Sequence, residues 1–261
     1  MSDSIVDYSL YSKKFIQSTQ SHVVSAEKLL AIVCDLIHPH SAVDVGCGSG
    51  SWLYVLKTKY NCSVLGIDGD YVDIHDTYLS EFEFYSQNLE KKIELSSECP
   101  NKFDLAISLE VAEHLSPSRA EGFIDDLTTL SDVVLFSAAI PLQGGENHIN
   151  EQPISYWANL FLERDFVPIS CIRPMYKSSM ADAELDGVDV MYANNTVLYV
   201  RHEKLLSYDI HPEDYVDDFS TIPILQRNII IRLLSREYCL IPRTRVINIL
   251  SKLFNFLFRR Y

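Results

Sequence analysis

The sequence lacks the cysteine patterns that mark disulfide scaffolds and zinc sites. Its six cysteines show neither C-x-x-C spacing nor high density. It also lacks an uninterrupted apolar run of the length that spans a bilayer. Its first residues, Met1–Ser4, show no basic region followed by an apolar one, as a secretion signal would. We therefore expect a globular protein in a reduced, cytoplasmic compartment.

Positive charge is scarce as well, except near the C-terminus. The formal net charge of the 261 residues is −14, which argues against nucleic acid as a partner, because duplex binding depends on neutralising phosphates. Between residues 221 and 261, eight basic residues stand against Glu237 alone, which leaves −21 for the rest of the chain. An acidic body with a basic, apolar tail predicts two separate roles.

Short apolar runs alternate with segments of helical periodicity along most of the chain. The periodicity predicts helices at 23–37, 50–60, 117–130 and 153–164, and strands at 42–45, 63–67, 103–109, 133–139, 166–173 and 196–201. Strands that alternate with helices indicate an α/β domain, in which a parallel sheet is joined by right-handed crossovers.

A glycine-rich turn, Gly46–Gly50, follows the first predicted strand. Its three glycines allow a sharp turn and let a ligand lie directly against the backbone. A dinucleotide-binding loop would have Gly or Ala where Ser51 stands. Asp44 precedes the loop, and Asp68 ends the next strand at the position of a ribose-binding carboxylate. These features predict a nucleoside-bearing ligand without phosphates; the alternative is an ordinary strand-to-helix turn.

Together with Gly66–Gly69 and Phe103–Glu110, this loop resembles the successive motifs of class I S-adenosylmethionine-dependent methyltransferases. The resemblance covers roughly residues 20–200. It implies a Rossmann-like fold with a mostly parallel seven-stranded sheet and helices on both faces. It also implies S-adenosylmethionine as the cofactor, bound by Asp44, Gly46, Cys47, Gly48, Gly50, Asp68, Gly69, Asn88, Leu109 and Glu110.

The resemblance also gives these residues roles. Asp44 and the first two glycines of the loop would hold the amino acid end of the cofactor, and Asp68 would hold the ribose hydroxyls. Asn88 would lie beside the adenine, where many relatives have Asp. Cys47 has no His or Lys placed in sequence to activate it, so we interpret it as a small spacer rather than a nucleophile.

A second constellation, Glu110-x-x-Glu113-His114, follows the predicted strand at 103–109. If a helix starts there, the three side chains share one face and could bind a divalent cation such as Mg²⁺. The pattern resembles the magnesium site of small-RNA 2′-O-methyltransferases and of ubiquinone-pathway O-methyltransferases. Alternatively, Glu113 is a helix-terminus charge that the helix dipole stabilises.

His148 lies in a loop with paired glycines after the predicted strand at 133–139. It is the side chain there best suited to accept a proton near neutral pH, and it could instead complete the metal site as a fourth ligand. With Tyr156 and Trp157, the run 136–152 resembles a bacterial methyltransferase subfamily associated with surface-glycan assembly. Trp157 could stack on a sugar ring, but packing in the core is the better interpretation.

These patterns favour an O-methyltransferase that acts on a hydroxyl of a sugar or surface-glycan intermediate. The alternatives are methylation of an RNA 3′ end or of a quinone-type small molecule, and a non-catalytic cofactor-binding module in a glycan-assembly complex. The acidic body counts against RNA.

The C-terminal part reads as a separate extension. We expect residues 1–205 to form the cofactor-binding domain and residues 206–261 to form two basic amphipathic helices, broken at Pro242. Such helices suit a partner protein or a peripheral position at the inner face of the membrane, or they pack on the acidic body.

Overall fold

The computed structural model describes residues 22–97, 99–100, 102–169, 190–208 and 210–211. The chain divides into two compact units, Met1–Phe219 and Ser220–Tyr261. The second unit lies outside the described residues, and with it the predicted break at Pro242 and nearly all of the predicted C-terminal helices. Within the described ranges, no helix is long and apolar enough to cross a membrane.

A seven-stranded sheet forms the centre of the described part of the first unit. Its spatial order is β3-β2-β1-β4-β5-β7-β6, and β7 alone runs antiparallel to its neighbours. This confirms the predicted Rossmann-like fold with a mostly parallel sheet of seven strands. The strands are β1 (Ser41–Val45), β2 (Ser63–Asp68), β3 (Phe84–Ser86), β4 (Leu105–Leu109), β5 (Val133–Ser137), β6 (Phe166–Ile169) and β7 (Val197–Arg201).

Helices cover both faces of the sheet. The helices are α1 (Val23–Ile37), α2 (Ser51–Tyr60), α3 (Ala120–Leu130), α4 (Ile154–Leu162) and α5 (Val190–Asn195). Buried side chains of α1 and α2 belong to the core on one face, and those of α3 and α4 belong to the core on the other. Trp157 of α4 is buried in the second core against Phe136, as its core interpretation expects.

The two cores explain why the strands read as continuous apolar runs. Consecutive strand residues point to opposite faces, so Ala42 enters the core beside α1 and α2, whereas Val43 enters the other. Leu135 and Phe136 of β5 divide in the same way. Because both faces are covered, both sets of positions are mainly apolar.

Some strand ends differ from the prediction. β3 was missed, because it is a three-residue edge strand of partly exposed residues that follows the acidic turn Glu81–Glu83. The strand predicted at 103–109 begins at Leu105, since the Asp104 carboxylate accepts the backbone N–H groups of His40 (2.8 Å) and Ser41 (2.9 Å) at the start of β1. β5 ends at Ser137, and residues 170–173 of the strand predicted at 166–173 lie outside the described residues.

A buried ion pair fastens the chain between β3 and β4 to α3. Arg119 pairs with Asp126, and both side chains are almost fully buried. Arg119 Nε also donates to the carbonyl of Leu89 (2.9 Å), and Asp126 accepts the N–H of Ile93 (3.0 Å). Residues 89–93 have no regular structure of their own, so these bonds fix their position.

We expect Asp126→Asn to lower the free energy of unfolding by about 3–5 kcal/mol, because the substitution leaves the buried Arg119 charge without its partner. Asp125→Asn is the matched control: Asp125 is the preceding residue of α3, is mostly exposed, and pairs with Arg164 at the surface. It should cost no more than about 1 kcal/mol. Urea denaturation of both variants measures the difference, and equal losses would refute the structural role of the buried pair.

Candidate active site

A cavity of about 800 Å³ opens at the carboxyl ends of β1, β2 and β4. The strand order reverses between β1 and β4, and in open α/β sheets this is where ligands bind. The volume lies in the range of small-molecule sites. All the cofactor and metal residues predicted from the sequence line this cavity except Gly50, which stands directly behind the loop at the start of α2.

The glycine loop has backbone conformations that favour glycine. Gly46, Gly48 and Gly50 have φ angles of +84°, +52° and +75°. A Cβ on Gly46 would lie 2.4 Å from Val111 Cγ2. The Gly46 N–H donates to the carbonyl of Ile67 (2.7 Å), which ties the loop to β2. The loop therefore combines a sharp turn with an approach too close for a side chain.

Asp68, at the end of β2, is buried and surrounded by donors. Its carboxylate accepts the N–H groups of Gly48 (2.8 Å) and Gly69 (2.7 Å) and the hydroxyl of Tyr71. Burial raises the pKa of Asp68, and these three hydrogen bonds oppose the rise. The carboxylate is therefore fixed in the cavity wall, at the position where a ribose-binding group was predicted.

Asp44, at the end of β1, is buried but incompletely hydrogen bonded. Its Oδ2 atom has no partner among the described residues. Burial, and then the nearby charge of Asp68, raise the pKa of Asp44 well above its usual value. A carboxylate in this state is stabilised by a cationic ligand, such as the ammonium group of an amino acid.

The segment Ser86–Leu89 forms the far side of the cavity. Asn88 Oδ1 accepts the N–H of Glu90 (2.9 Å), and the Gln87 N–H donates to the carbonyl of Asp68 (2.7 Å). Asn88 therefore stabilises its own turn as well as lining the cavity. The buried Arg119, which the sequence reasoning did not single out, holds the next residue, Leu89, in place.

Cys47 lies inside the glycine loop and is buried. Burial is the main cause that raises the pKa of its thiol well above the usual value, and the charges of Asp68 and Asp44 add to it. A thiol in this state is a poor nucleophile. Its Sγ atom would lie 2.7 Å from a Cβ on Gly66, so the side chain fills space between β1 and β2.

β4 ends at a residue in the left-handed conformation. Glu110 has a φ of +56°, and its N–H donates to the carbonyl of Ser137 (3.0 Å). This turn prevents an α-helix from starting there, and a single 3₁₀ turn, Ala112–His114, follows. The helix that would place Glu110, Glu113 and His114 on one face therefore does not form at this turn.

The carboxylate of Glu110 is held by two side-chain amides. It accepts the side-chain amides of Gln143 (2.7 Å) and Asn195 (3.1 Å). Burial raises the pKa of Glu110, and both hydrogen bonds oppose the rise. The network joins β4, the loop after β5 and α5, and no local sequence signal pointed to Gln143 or Asn195.

Glu113 is fully buried at the inner end of the cavity. Neither carboxylate oxygen has a hydrogen-bond partner of good geometry within the described residues, and the backbone N–H groups of Glu113 and Ala139 oppose the effect of burial on its pKa only in part. Burial, and then the charge of Glu110, raise its pKa well above the usual value. A buried carboxyl of this kind costs stability unless a cation or a donor accompanies it.

His114 and His148 complete a cluster with Glu113. One ligand atom from each of the three side chains lies within 4.8 Å of the others. The imidazole rings are 4.8 Å apart, edge to face. Burial, and then His148, lower the pKa of His114 to about 4, so it is neutral at pH 7. Imidazole nitrogens and a carboxylate are a suitable donor set for a divalent cation.

The loop after β5 is fastened to this cluster by its backbone. The carbonyl of Glu113 accepts the N–H groups of Ile149 and Asn150, each at 2.9 Å. His148 precedes these two residues and is thereby held beside Glu113. Glu151, which the sequence reasoning missed, lies 3.0 Å from His148 Nδ1. The sequence did offer a signal for Glu151, because it stands three residues after His148.

Comparisons with known proteins agree with this geometry. Residues 43–128 match the protein family described as "Methyltransferase domain". The matched segment covers about a third of the chain. It runs from β1 into α3 and therefore contains the glycine loop, Asp68, Glu113 and His114. The prediction of a methyltransferase is confirmed. A comparison with curated proteins gave no match.

Solved methyltransferase structures resemble the methyltransferase domain and its flanks at low identity. Human N-acetylserotonin methyltransferase, solved with S-adenosylmethionine, is 16% identical with a TM-score of 0.48, over 72% of this chain and 55% of that enzyme. The methyltransferase domain of a bacterial Hen1 is 18% identical with a TM-score of 0.44, over 67% and 96%. An O-methyltransferase family protein from Burkholderia thailandensis is 12% identical with a TM-score of 0.46, over 71% and 56%.

The incomplete bonding of Asp44 gives a prediction with two opposite readouts. Asp44→Asn should weaken the binding of S-adenosylhomocysteine roughly 10- to 100-fold, the value of about 1.5–3 kcal/mol for a hydrogen bond to a charged group. The ligand-free variant should also melt at a higher temperature than the wild type at pH 7. A raised pKa in the folded state means that ionised Asp44 costs stability at pH values above its unfolded pKa of about 3.9.

The melting difference should therefore disappear as the pH falls toward 4. Calorimetric titration measures the affinity, and thermal denaturation from pH 4 to 7 measures the stability. Asp35→Asn, on the exposed side of α1, controls for the loss of one negative charge. Unchanged affinity in Asp44→Asn would remove Asp44 from the cofactor site.

Proposed function

We propose that this methyltransferase domain transfers the methyl group of S-adenosylmethionine to a hydroxyl oxygen of a sugar or glycan intermediate. The observation that carries the proposal is the Glu113–His114–His148 cluster in the same cavity as the glycine loop. One end of the cavity suits the cofactor, and the other end offers groups that activate a hydroxyl.

The cofactor's orientation follows from the charges of the cavity wall. Asp68 would accept the ribose hydroxyls, and the incompletely bonded carboxylate of Asp44 would accept the cofactor's ammonium group. The adenine would then lie against residues 86–89, and the sulfonium would point away from them, toward the cluster. In this orientation, each acidic residue faces a hydrogen-bond donor or a positive charge of the cofactor.

The chemical step needs alignment and the removal of one proton. The acceptor oxygen forms a bond to the methyl carbon as the bond from carbon to sulfur breaks, which leaves a neutral thioether. The hydroxyl proton passes to His148, because an imidazole is a side chain suited to accept a proton near neutral pH. His114 keeps its neutral form because of its low pKa, so it does not repel the sulfonium.

A divalent cation such as Mg²⁺ suits the same cluster. Glu113, His114 and His148 would hold it, because Glu113 has two buried oxygens that lack hydrogen bonds from the described residues. A bound cation would lower the pKa of the acceptor hydroxyl and orient it. In that case His148 is a ligand rather than a base. Glu110 is not in the proposed ligand set, because the group of ligand atoms that lie within 4.8 Å of one another consists of Glu113, His114 and His148.

Two features support a neutral, hydroxyl-rich acceptor. The exposed Glu146 carboxylate lines this end and disfavours phosphorylated or nucleic acid acceptors. The run 136–152 also resembles methyltransferases associated with surface glycans. A panel of hydroxyl-bearing sugars, a 3′-terminal RNA oligonucleotide and a catechol, each supplied with methyl-labelled S-adenosylmethionine, tests the acceptor class. Transfer to the RNA alone would refute the sugar proposal.

With an acceptor from this panel, His148→Ala should reduce turnover by roughly 10²- to 10⁴-fold, the usual contribution of a positioned proton acceptor. The affinity for S-adenosylhomocysteine should hardly change, because His148 lies beyond the cofactor. If His148 is a metal ligand, excess cation should restore part of the activity by mass action. Initial rates measured against Mg²⁺ concentration separate the two roles.

His75→Ala is the matched control, since His75 is exposed on a 3₁₀ turn away from the cavity. It should keep wild-type turnover. Near-normal turnover of His148→Ala at ordinary cation concentrations would reject both chemical roles for His148 and return it to the role of a loop residue.

A further inference from the structure

We propose that Glu151 is a positioning residue that selects the tautomer of His148. It would keep the imidazole hydrogen on Nδ1 and leave the lone pair of Nε2 free for the reaction. The inference rests on the proposed function, since it concerns the histidine that the function assigns to the chemistry. It adds a residue whose role can be measured without an acceptor.

The first step of the argument is the set of donors around Glu151. Its Oε1 atom accepts the N–H of Gly144 (2.7 Å), and its Oε2 atom accepts the N–H of Leu142 (2.8 Å). A backbone N–H group can only donate a hydrogen bond, so these two bonds fix the carboxylate in one orientation. Glu151 is thereby a rigid acceptor rather than a mobile side chain.

The second step concerns the ring nitrogen that faces this carboxylate. His148 Nδ1 lies 3.0 Å from Glu151 Oε1. An ionised carboxylate only accepts hydrogen bonds, so Nδ1 must donate. A neutral imidazole carries a single N–H group, which then leaves Nε2 as an acceptor. The tautomer follows from the geometry of one contact.

The third step concerns the surroundings of Nε2, the other ring nitrogen of His148. A Cβ on Gly145 would lie 2.2 Å from His148 Nε2 and 2.5 Å from Cε1. The Nε2 edge therefore lies close against the Gly145 backbone, where a residue with a Cβ would clash, and His148 itself lines the cavity. A free lone pair on Nε2 is required both of a base and of a cation ligand, so the inference holds for either role of His148.

Glu151 also joins the ring to the backbone of its own loop. The same carboxylate binds Leu142, Gly144 and His148, so it closes residues 142–151 into one unit. A structural role alone would make Glu151 important for loop closure but would not determine which ring nitrogen is protonated. The tautomer is therefore the readout that separates positioning from simple loop stability.

The test is long-range ¹H–¹⁵N NMR of the histidine rings in the full chain, bound to S-adenosylhomocysteine without added metal. The His148→Gln variant identifies the His148 signal by its disappearance. We expect wild-type His148 to carry its hydrogen on Nδ1 in the neutral form. Glu151→Gln, which removes the charge at constant size and offers Nδ1 an amide donor in place of one acceptor, should shift the population toward the Nε2–H form.

Glu146→Gln is the matched control, because it removes the same charge from an exposed position in the same loop. It should leave the tautomer of His148 unchanged. Once an acceptor is known, Glu151→Gln should also lower turnover about 10- to 100-fold, the usual cost of losing a carboxylate that orients a histidine. Its affinity for S-adenosylhomocysteine should stay within about two-fold of the wild type, because binding and turnover are separable.

Wild-type His148 with its hydrogen on Nε2 would overturn the inference, and this result needs no variant to fold. An unchanged tautomer in folded Glu151→Gln would overturn it as well. Neither result would decide the proposed function, which is tested separately by the transfer of the labelled methyl group. Conversely, failure to transfer a methyl group to any acceptor would contradict the proposed function while leaving the tautomer measurable.

Discussion

The site depends on the backbone carbonyl of Glu113, which accepts the N–H groups of both Ile149 and Asn150. These two bonds join the turn after β4 to the loop after β5. Together with the bond from Gln143 to Glu110, they set the position of His148 relative to Glu113 and His114. Backbone bonds depend little on side-chain identity, so the chain can vary around this junction and still keep the cluster assembled.

The carboxylates in the cavity wall suit a positively charged ligand. Asp44 and Glu113 each have a buried oxygen without a hydrogen bond from the described residues, and burial raises the pKa of both. Such groups lower the stability of the empty protein. A ligand with an ammonium group and a sulfonium, together with a divalent cation, would relieve both costs. In the proposed binding mode, these two carboxylates would couple ligand binding to folding stability.

The sequence predicted the fold well, because most of its signals are local. Strands covered on both faces read as apolar runs, and the glycine loop needs its residue types at a fixed spacing. β3 was missed, since its three partly exposed residues gain their structure from pairing with β2. The helix considered at Glu110 does not form, because the bond from its N–H to Ser137 ends the strand in a left-handed turn.

Contacts distant in sequence account for the rest of the site. Asn195 reaches Glu110 from a helix 85 residues later in the chain, and periodicity carries no information about such a pair. Arg119 was hidden because a buried arginine resembles a surface one in sequence. Glu151 is the exception, since its spacing from His148 is local and the pair could have been recognised.

The central claim is that the cofactor's methyl group and the Glu113–His114–His148 cluster meet in one cavity. The most direct measurement is the paramagnetic broadening of bound S-adenosylmethionine by Mn²⁺, followed by proton NMR. The account predicts strong broadening of the S-methyl signal, weaker broadening of the adenine signals, and loss of both effects in His114→Ala. Equal broadening of methyl and adenine signals, or none at saturating Mn²⁺, would contradict it.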